Sequence, residues 1–422
     1  MSDTLALAPG ASAPGAPPRA AGLARKLARS RRRRQLGAAA LIAPLMLFLA
    51  AAFFAPLVSV LFYAVEADDV SRILPRSAEA VRGWDGDGLP DEAVFAALAE
   101  DLVESAEART AARAATALNH HLTGFRSLLM GAARRAETLQ APHAEAFAAL
   151  DPRWAETETW TAFQRGAARF TDRYLLAAVD RERDAEGRVV LAPEDRRIYI
   201  DYLERTLWIS LVVTVACLLI AYPMAWLIAN ASDANRRILF ILVLLPFWTS
   251  LLVRTAAWVI LLQRNGAVNA GLMWMGITDE PMQLIFNRFG VYVAMTHVLL
   301  PFMILPLYSA MRGIPRDHMR ASASLGARPF ATFLQVYLPQ TLPGVGAGCL
   351  LVWVLAIGFY ITPALVGGGG DQMISFLIAE FTLRTANWHM AAALSLLLLV
   401  MVAVVVPVMM RLTGASRLDP GR

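Results

Sequence analysis

Residues 206–229, TLWISLVVTVACLLIAYPMAWLIA, form an apolar run without a charged side chain. A helix needs roughly 20 apolar residues to cross the hydrocarbon core of a bilayer, where it must satisfy its own backbone polar groups. This run is long enough to do so, and it stays uncharged as far as residue 232. The stretch therefore predicts a membrane-spanning helix, and the search for others decides the fold class.

Five further stretches have the same character. Only 17% of the 422 residues are charged and 57% are apolar, whereas a soluble domain has about 25% charged residues. The sequence therefore predicts an all-α polytopic membrane protein with six transmembrane helices. The five stretches are the uncharged runs 35–65, 289–311 and 385–410, the apolar core 342–366 of the uncharged run 329–370, and Ile238–Leu262, which only Arg254 interrupts.

The first of these runs is expected to remain in the mature protein as a membrane helix. It holds about 28 apolar residues, whereas the apolar region of a cleaved signal peptide has about 7 to 15. We therefore predict transmembrane helix 1 at residues 36–65. The preceding residues 1–35 are basic and rich in Ala, Pro and Gly, which predicts a disordered cytoplasmic tail.

Basic residues in the short flanking segments set the orientation of a membrane protein. If each predicted span crosses once and the N-terminus is cytoplasmic, the cytoplasmic segments carry 17 basic residues and the short external segments carry three. The opposite orientation would invert this ratio. We therefore predict cytoplasmic N- and C-termini, with residues 412–422 as a C-terminal cytoplasmic tail.

A long segment, residues 66–205, separates the first two spans and is predicted to lie outside the cytoplasm. It contains 26 acidic and 18 basic residues, and its apolar residues recur at helical spacing. We expect a small helical domain. Asp85 and Asp87 lack the remaining spacing of a calcium loop, and His120 and His121 are adjacent and point to different helix faces, so no metal site or cofactor is predicted.

The segment RASASLGARPFATFLQVYLP, residues 320–339, is too polar to span the membrane, yet it is regularly patterned. Pro315 and Asp317 suit the first turn of a short helix, and Gly326 suits its left-handed end. Pro329 then starts a second helix, with an apolar face formed by Phe330, Phe333, Leu334 and Tyr337. A helix that presents Ala and Ser lets another backbone approach closely. Docking to a partner and packing on the chain's own membrane domain are equally compatible with this pattern.

This segment resembles the "EAA" loop of permease subunits in ATP-binding-cassette importers. Residues 206–229, 245–269, 299–311, 359–369 and 387–399 resemble the spermidine/putrescine-type branch of that family. The resemblance covers about 206–411 and implies a type I permease core of five helices, with a cytoplasmic coupling segment at 312–342. It implies that the coupling residues are Arg320, Ala321, Ser322, Gly326, Ala327, Phe333, Leu338 and Pro339.

Two features depart from the family pattern. Arg320 stands where the loop begins with Glu, and Ser322 replaces the second Ala, so we expect pairing with the ATPase to be specialised. The insertion at 66–205 is the other departure, and its role is left open.

The resemblance implies a non-enzymatic transport subunit of the bacterial inner membrane. The chain has no ATP-hydrolysing motif, so a cytoplasmic ATPase dimer would supply the energy. A second permease subunit would complete the pathway, and an extracytoplasmic binding protein would deliver the solute. The implied solute is small and polar, with a polyamine such as spermidine or putrescine expected.

Polar residues inside the spans are the candidates for the translocation pathway, because they are costly in a bilayer. Arg254 and His297 are singled out, although Arg254 also suits an interfacial position and His297 also suits a bond to a neighbouring helix. Asp371 and Glu380, before the last span, suit either attraction of a cation or a solvated surface. No catalytic residue is predicted.

Two other classes of function compete with an importer subunit. A membrane receptor would need a cytoplasmic signalling domain after the second span, where only a short segment is present. A secondary transporter would be expected to have carboxylates inside its spans, and the six predicted span cores contain none. Nucleic-acid binding is not expected, since the basic residues lie where membrane topology places them.

Overall fold

The computed structural model describes residues 18–66, 68–119, 121–184 and 187–412. Helix α1 (Pro18–Val65) contains the first predicted span and begins well before it. Residues 18–35, which were predicted to be disordered, form the N-terminal part of this helix. They are rich in Ala, Leu, Arg and Lys, which are strong helix formers. Residues 1–17 and 413–422, which include about half of the predicted N-terminal tail and nearly all of the predicted C-terminal tail, lie outside the described residues.

The insertion is a helical domain, as the spacing of its apolar residues predicts. Its core is a cluster of aromatic side chains, in which the Phe95 and Trp160 ring centroids lie 4.4 Å apart. A short hairpin follows, with Arg181 opposite Leu191 in antiparallel register. The elements are α2 (Asp68–Ile73), α3 (Pro75–Arg82), α4 (Glu92–Glu107), α5 (Ala111–Leu118), α6 (Phe125–Ala133), α7 (His143–Leu150), α8 (Thr157–Gly166), α9 (Arg173–Ala178), β1 (Arg181–Arg183) and β2 (Val189–Leu191).

The hairpin leads directly into α10 (Tyr199–Asn230), the second predicted span. Asp180, at the start of the hairpin, is buried, and its carboxylate accepts the N–H groups of Ile198, Tyr199 and Ile200 at 2.9–3.1 Å. These are the first amides of α10, which have no partner within the helix. The insertion therefore supplies the N-terminal cap of this membrane helix.

The third predicted span is broken. Its residues form α11 (Asp233–Leu244), a 3-10 turn (Leu245–Trp248), α12 (Leu251–Leu262) and α13 (Ala267–Trp274). The two halves meet at an angle of 97° at residues 249–250. Pro246 precedes the break, and a proline lacks the amide that would continue the helical hydrogen bonds. The predicted span Ile238–Leu262 therefore does not run as one straight helix, and it counts as a span only if both halves are taken together.

Helices α10, α14 (Arg288–Arg312) and α17 (Leu338–Ile357) form the core of the membrane part. Glycines allow α17 to approach α14 closely, because a Cβ at Gly344 would lie 2.5 Å from the Ala310 Cβ. A Cβ at Gly348 would lie 2.7 Å from the Met303 Sδ. Close contact of this kind suits helices in lipid, where van der Waals packing holds them together.

Two short helices, α15 (Arg316–Ser324) and α16 (Pro329–Thr332), lie between α14 and α17. A π-helical turn, Phe333–Tyr337, joins α16 to α17, so the chain is helical without a break from Pro329 to Ile357. Pro339 therefore does not separate the second short helix from the span. The rest of the apolar core 342–366 forms a separate helix, α18 (Ile361–Val366).

The last elements are α19 (Ile374–Leu383) and α20 (Trp388–Leu412). Among the described residues, five helices are long and apolar enough to cross a membrane, or six if the bent pair counts as one span. The prediction of a polytopic helical membrane protein with up to six spans is confirmed. Helix α9 of the insertion packs on α20 through Leu175, Ala178 and Leu394, so the insertion is attached to the membrane core at more than one point.

Candidate coupling surface and translocation pathway

Helix α15 ends in a left-handed turn at Gly326. This residue has φ +83°, and its N–H donates to the Ala323 carbonyl at 3.0 Å. The Ala327 N–H reaches back to the Ser322 carbonyl at 3.2 Å, which completes the capping pattern that the sequence predicts. A Cβ on Gly326 would meet nothing within 4 Å, so the glycine is required by backbone conformation and not by crowding.

Two side-chain bonds fix the fold of this segment. Ser322 Oγ and Thr332 Oγ1 lie 2.9 Å apart and join α15 to α16. His318 Nδ1 lies 2.8 Å from Gln340 Oε1 and joins α15 to α17. Ser322, where the family pattern has Ala, therefore has a structural role within the segment.

The predicted coupling residues divide between two sides of the segment. Arg320, Ala321 and Gly326 are exposed, whereas Phe333 packs inward, with its ring centroid 6.1 Å from that of Tyr222 on α10. Leu338 is half-buried, and its carbonyl accepts the Thr341 hydroxyl at 2.8 Å. Ala327 is half-buried beside the turn, and Pro339 is exposed. The exposed residues are free to meet a partner, and the residues that pack inward anchor the segment to the membrane core.

The most exposed apolar side chains of the segment flank the Gly326 turn. Leu325 is 89% exposed and Phe330 is 72% exposed. Exposed apolar side chains next to small residues are typical of a docking site. The sequence analysis missed Leu325, and the signal available was its position immediately before the capping glycine. We call the exposed face formed by Arg320, Ala321, Leu325, Gly326 and Phe330 the coupling surface.

Arg320 is exposed, and its guanidinium lies 3.3 Å from the Asp317 carboxylate one turn earlier in α15. Exposed ion pairs of this kind contribute at most about 1 kcal/mol. The positive charge therefore stays accessible at the coupling surface, in the position where the family pattern has an acidic residue.

Arg254 and His297, the two pathway candidates, lie on neighbouring helices, α12 and α14. The Trp258 Nε1–H, one turn beyond Arg254 on α12, donates to His297 Nδ1 on α14 at 3.1 Å. Arg254 is half-buried, and its Nε has no hydrogen-bond partner among the described residues. His297 thus bonds a neighbouring helix, as one of its two sequence interpretations expects.

His297 also lines a cavity of about 220 Å³ between α10, α11 and α14. The other lining residues are apolar, among them Met224, Val243 and Pro301. A pocket without polar partners does not hold a charged solute. The cavity therefore does not identify a solute site within the described residues.

Asp371 and Glu380 are both paired. Asp371 is buried, lies 3.0 Å from the Arg288 Nε and accepts the Gly368 N–H at 3.2 Å. Glu380 lies 3.0 Å from Arg384. Gly367 and Gly368 are packed as well, since a Cβ on Gly367 would lie 2.6 Å from the Pro363 carbonyl oxygen and one on Gly368 would lie 2.9 Å from the Phe286 carbonyl oxygen. This region is an ordered turn, and Asp371 stabilises it through Arg288 and Gly368 instead of facing a cationic solute.

The membrane helices form a bundle, and a pair of short exposed helices lies between two of its spans. This arrangement favours a transport permease over a receptor. Residues 206–416 match the protein family described as "Binding-protein-dependent transport system inner membrane component". The chain belongs to this family, and it is a permease of the ATP-binding-cassette importer type and a multi-pass inner-membrane protein.

Known relatives place the chain within the family. It is 35% identical over 221 residues to the spermidine/putrescine transport system permease protein PotB of Escherichia coli (strain K12), over 52% of this chain and 79% of PotB. It is 34% identical to the inner membrane ABC transporter permease protein YdcU of the same strain, over 50% of this chain and 71% of YdcU. A crystal structure of a bacterial alginate ABC transporter in complex with an alginate pentasaccharide-bound periplasmic protein aligns with a TM-score of 0.43 at 18% identity, over 51% of this chain and 78% of that one.

Proposed function

We propose that this permease imports a small polar solute, with a polyamine such as spermidine or putrescine as the leading candidate, by alternating access driven by a separate ATPase. The observation that carries the proposal is the coupling surface, which is the exposed face of two short helices within the family match. The likeness to PotB supports a polyamine as the solute.

The proposed assembly contains a cytoplasmic ATPase dimer, a second permease subunit and an extracytoplasmic solute-binding protein. Closure of the ATPase dimer moves the coupling surface, and the membrane helices rock as rigid bodies between outward- and inward-open states. In this arrangement the N- and C-termini and residues 312–342 are cytoplasmic, and residues 66–205 are extracytoplasmic. Basic residues in the short segments support this orientation.

A pair of glycine variants tests the docking site. Gly326→Asp places a carboxylate on the coupling surface, whereas Gly276→Asp places one beyond α13, on the opposite side of the membrane in the proposed topology. Both glycines have positive φ, +83° and +67°, and a Cβ on either meets nothing within 4 Å. The two variants therefore impose the same backbone strain and differ in location.

We expect Gly326→Asp to reduce recovery of the ATPase with the affinity-tagged full-length chain by roughly tenfold, since 1.4 kcal/mol of lost binding has that effect. Gly276→Asp is expected to leave recovery unchanged. Mass spectrometry of the purified complex measures the stoichiometry. Equal recovery in both variants would place the docking site elsewhere, and absence of any ATPase partner from a folded preparation would favour a secondary transporter.

The solute is tested separately by uptake. Cells that express the intact system should take up labelled spermidine or putrescine, and cells without the permease should not. Arg254 favours a second candidate, an anionic solute, because its buried Nε has no hydrogen-bond partner among the described residues and a guanidinium repels a polyamine. Uptake of a labelled oxyanion such as phosphate or molybdate, with no polyamine uptake, would establish that alternative.

A further inference from the structure

A cavity of about 1010 Å³ lies between the insertion and the N-terminal end of α20. Its upper wall comes from α2, α5, α6 and α9 of the insertion, and its lower wall from the ends of α1 and α20. The solute pathway of the proposed function does not use it. The side chains on which the argument depends are Arg126, Arg173, Tyr63, Tyr174, Trp388 and His389.

The charge of the cavity wall is opposite to that of the domain that forms it. The insertion as a whole has eight more acidic than basic residues, 26 against 18. The described residues that line the cavity nevertheless include four arginines, Arg72, Arg113, Arg126 and Arg173, and no Asp or Glu. Where such arginines are not paired with carboxylates, they create a local positive potential, which concentrates anions.

Two of these guanidinium groups are available to a ligand. Arg126 and Arg173 form no ion pair within the part of the chain that the structure describes. Arg173 is half-buried, with its guanidinium 5.6 Å from the Tyr174 ring centroid. Burial is the main cause that lowers the pKa of Arg173 from its usual value. A cation held in this way is stabilised when an anion binds beside it.

The lower wall has the composition of a membrane–water interface. Trp388 and Tyr63 are 54% and 44% exposed, and Trp and Tyr are enriched at the level of the lipid headgroups. His389 is held there by two contacts, since its Nδ1 lies 2.9 Å from the Tyr63 carbonyl and its ring stacks on Tyr174 at 5.2 Å. Because Trp388 begins the last membrane helix, the cavity opens at headgroup depth.

We propose that this cavity binds the phosphate group of an anionic phospholipid of the outer leaflet. Arg126 and Arg173 contact the phosphate, while Trp388 and Tyr63 contact the glycerol and upper acyl region. The depth of the opening favours a lipid over a free anion, because a lipid phosphate is held at that level by its own acyl chains. The assignment to the outer leaflet rests on the orientation given under the proposed function.

Native mass spectrometry of the full-length chain, titrated with phosphatidylglycerol or phosphatidylcholine, tests the proposal. Phosphatidylglycerol should bind more tightly, and Arg126→Gln and Arg173→Gln should each weaken its binding by roughly fivefold, the effect of one basic side chain near an anionic surface. Arg135→Gln is the matched control, since Arg135 is exposed two residues beyond the end of the helix that contains Arg126 and is not among the residues that line the cavity.

Arg126 is exposed, so its replacement is not expected to disturb folding, and it keeps the test valid if Arg173→Gln fails to fold. Equal binding of the two lipids, or equal loss in Arg135→Gln and Arg126→Gln, would overturn the proposal. A third arm adds inorganic phosphate without lipid. Saturable phosphate binding that competes with phosphatidylglycerol and is lost in Arg126→Gln would assign the site to a free anion and would also overturn it.

Discussion

At the scale of single residues, Asp180 has the clearest energetic role of the side chains that the sequence analysis did not identify. Its carboxylate accepts three N–H groups at the start of α10, and it does so from a left-handed backbone position, φ +54°. Asp and Asn tolerate that conformation better than other residues with a Cβ. One residue therefore satisfies both the turn and the helix cap.

We predict that Asp180→Ala destabilises the first turn of α10 by about 1 to 3 kcal/mol, since three partly buried hydrogen bonds lose their acceptor and Ala is strained at positive φ. Asp180→Asn keeps one acceptor and tolerates the turn, so its effect should be intermediate. Hydrogen exchange of a peptide covering residues 198–204 measures the loss of protection. Equal protection in both variants and the parent chain would contradict the assigned role.

At the scale of secondary structure, the sequence predicts the spans well because the bilayer dictates their length and polarity. It predicts the Gly326 turn for a similar reason, since few residues other than glycine adopt the required φ. The sharp angle of the break at 249–250 and the continuous helix through Pro339 were not predicted. In both cases a proline is present, and the neighbouring elements decide whether the freed backbone group finds a partner.

The assignment of the coupling residues stays a prediction, and the sequence did not predict how these residues are oriented. The π-helical turn decides which residues of the segment face outward. This turn directs Phe333 toward Tyr222 and leaves Phe330 exposed. Contacts between distant parts of the chain, such as Asp180 with α10 or Trp258 with His297, leave no local pattern in the sequence.

The close approach of α14 and α17 gives a prediction at this scale. Gly344→Ala would place a Cβ 2.5 Å from the Ala310 Cβ and 3.0 Å from the Pro306 carbonyl, so we expect a loss of about 1 to 3 kcal/mol of stability. Gly271→Ala is the control, because Gly271 lies within α13 with nothing within 4 Å of its Cβ. There the change should be neutral or slightly stabilising.

Thermal unfolding of the detergent-solubilised chain compares the two glycine variants. A lower melting temperature for Gly344→Ala alone is the expected result. If both alanines have the same effect, close packing of α14 on α17 does not determine stability.

At the scale of the whole molecule, the insertion is a domain with its own aromatic core and its own response to acid. Glu92 on α4 accepts the N–H groups of His143 and Ala144 at the start of α7, and these bonds hold the pKa of its carboxyl below the usual value. Asp151, bonded to Arg153, and Asp172, bonded to Arg183, also have lowered pKa values, because each accepts from a guanidinium.

A carboxyl whose pKa is lower in the folded state stabilises the fold above its unfolded pKa, and this contribution is lost as pH falls through the folded pKa. We therefore predict that the stabilising contribution of these three carboxyls is constant near neutrality and is lost below about pH 4, the usual range for these groups. Hydrogen exchange of a peptide covering residues 143–150, followed against pH, measures the effect.

Glu92→Gln should weaken protection of α7 at neutral pH and reduce its further loss in acid. Glu145→Gln is the matched control, because Glu145 is an exposed acidic residue in the first turn of the same helix and makes no hydrogen bond within the described residues. Identical pH profiles for the two variants would show that the Glu92 cap is not responsible.

The double attachment of the insertion has a mechanical consequence. The Asp180 cap fixes the insertion to the start of α10, and the packing of α9 fixes it to α20. A domain attached to two helices acts as a brace, so the N-terminal ends of α10 and α20 cannot separate unless one of the two attachments breaks. If the membrane helices move during transport, α10 and α20 must then move together as one rigid unit, and the chain must bend at another place. The sharp bend between α11 and α12 is the place in the described chain that already has the shape of a hinge.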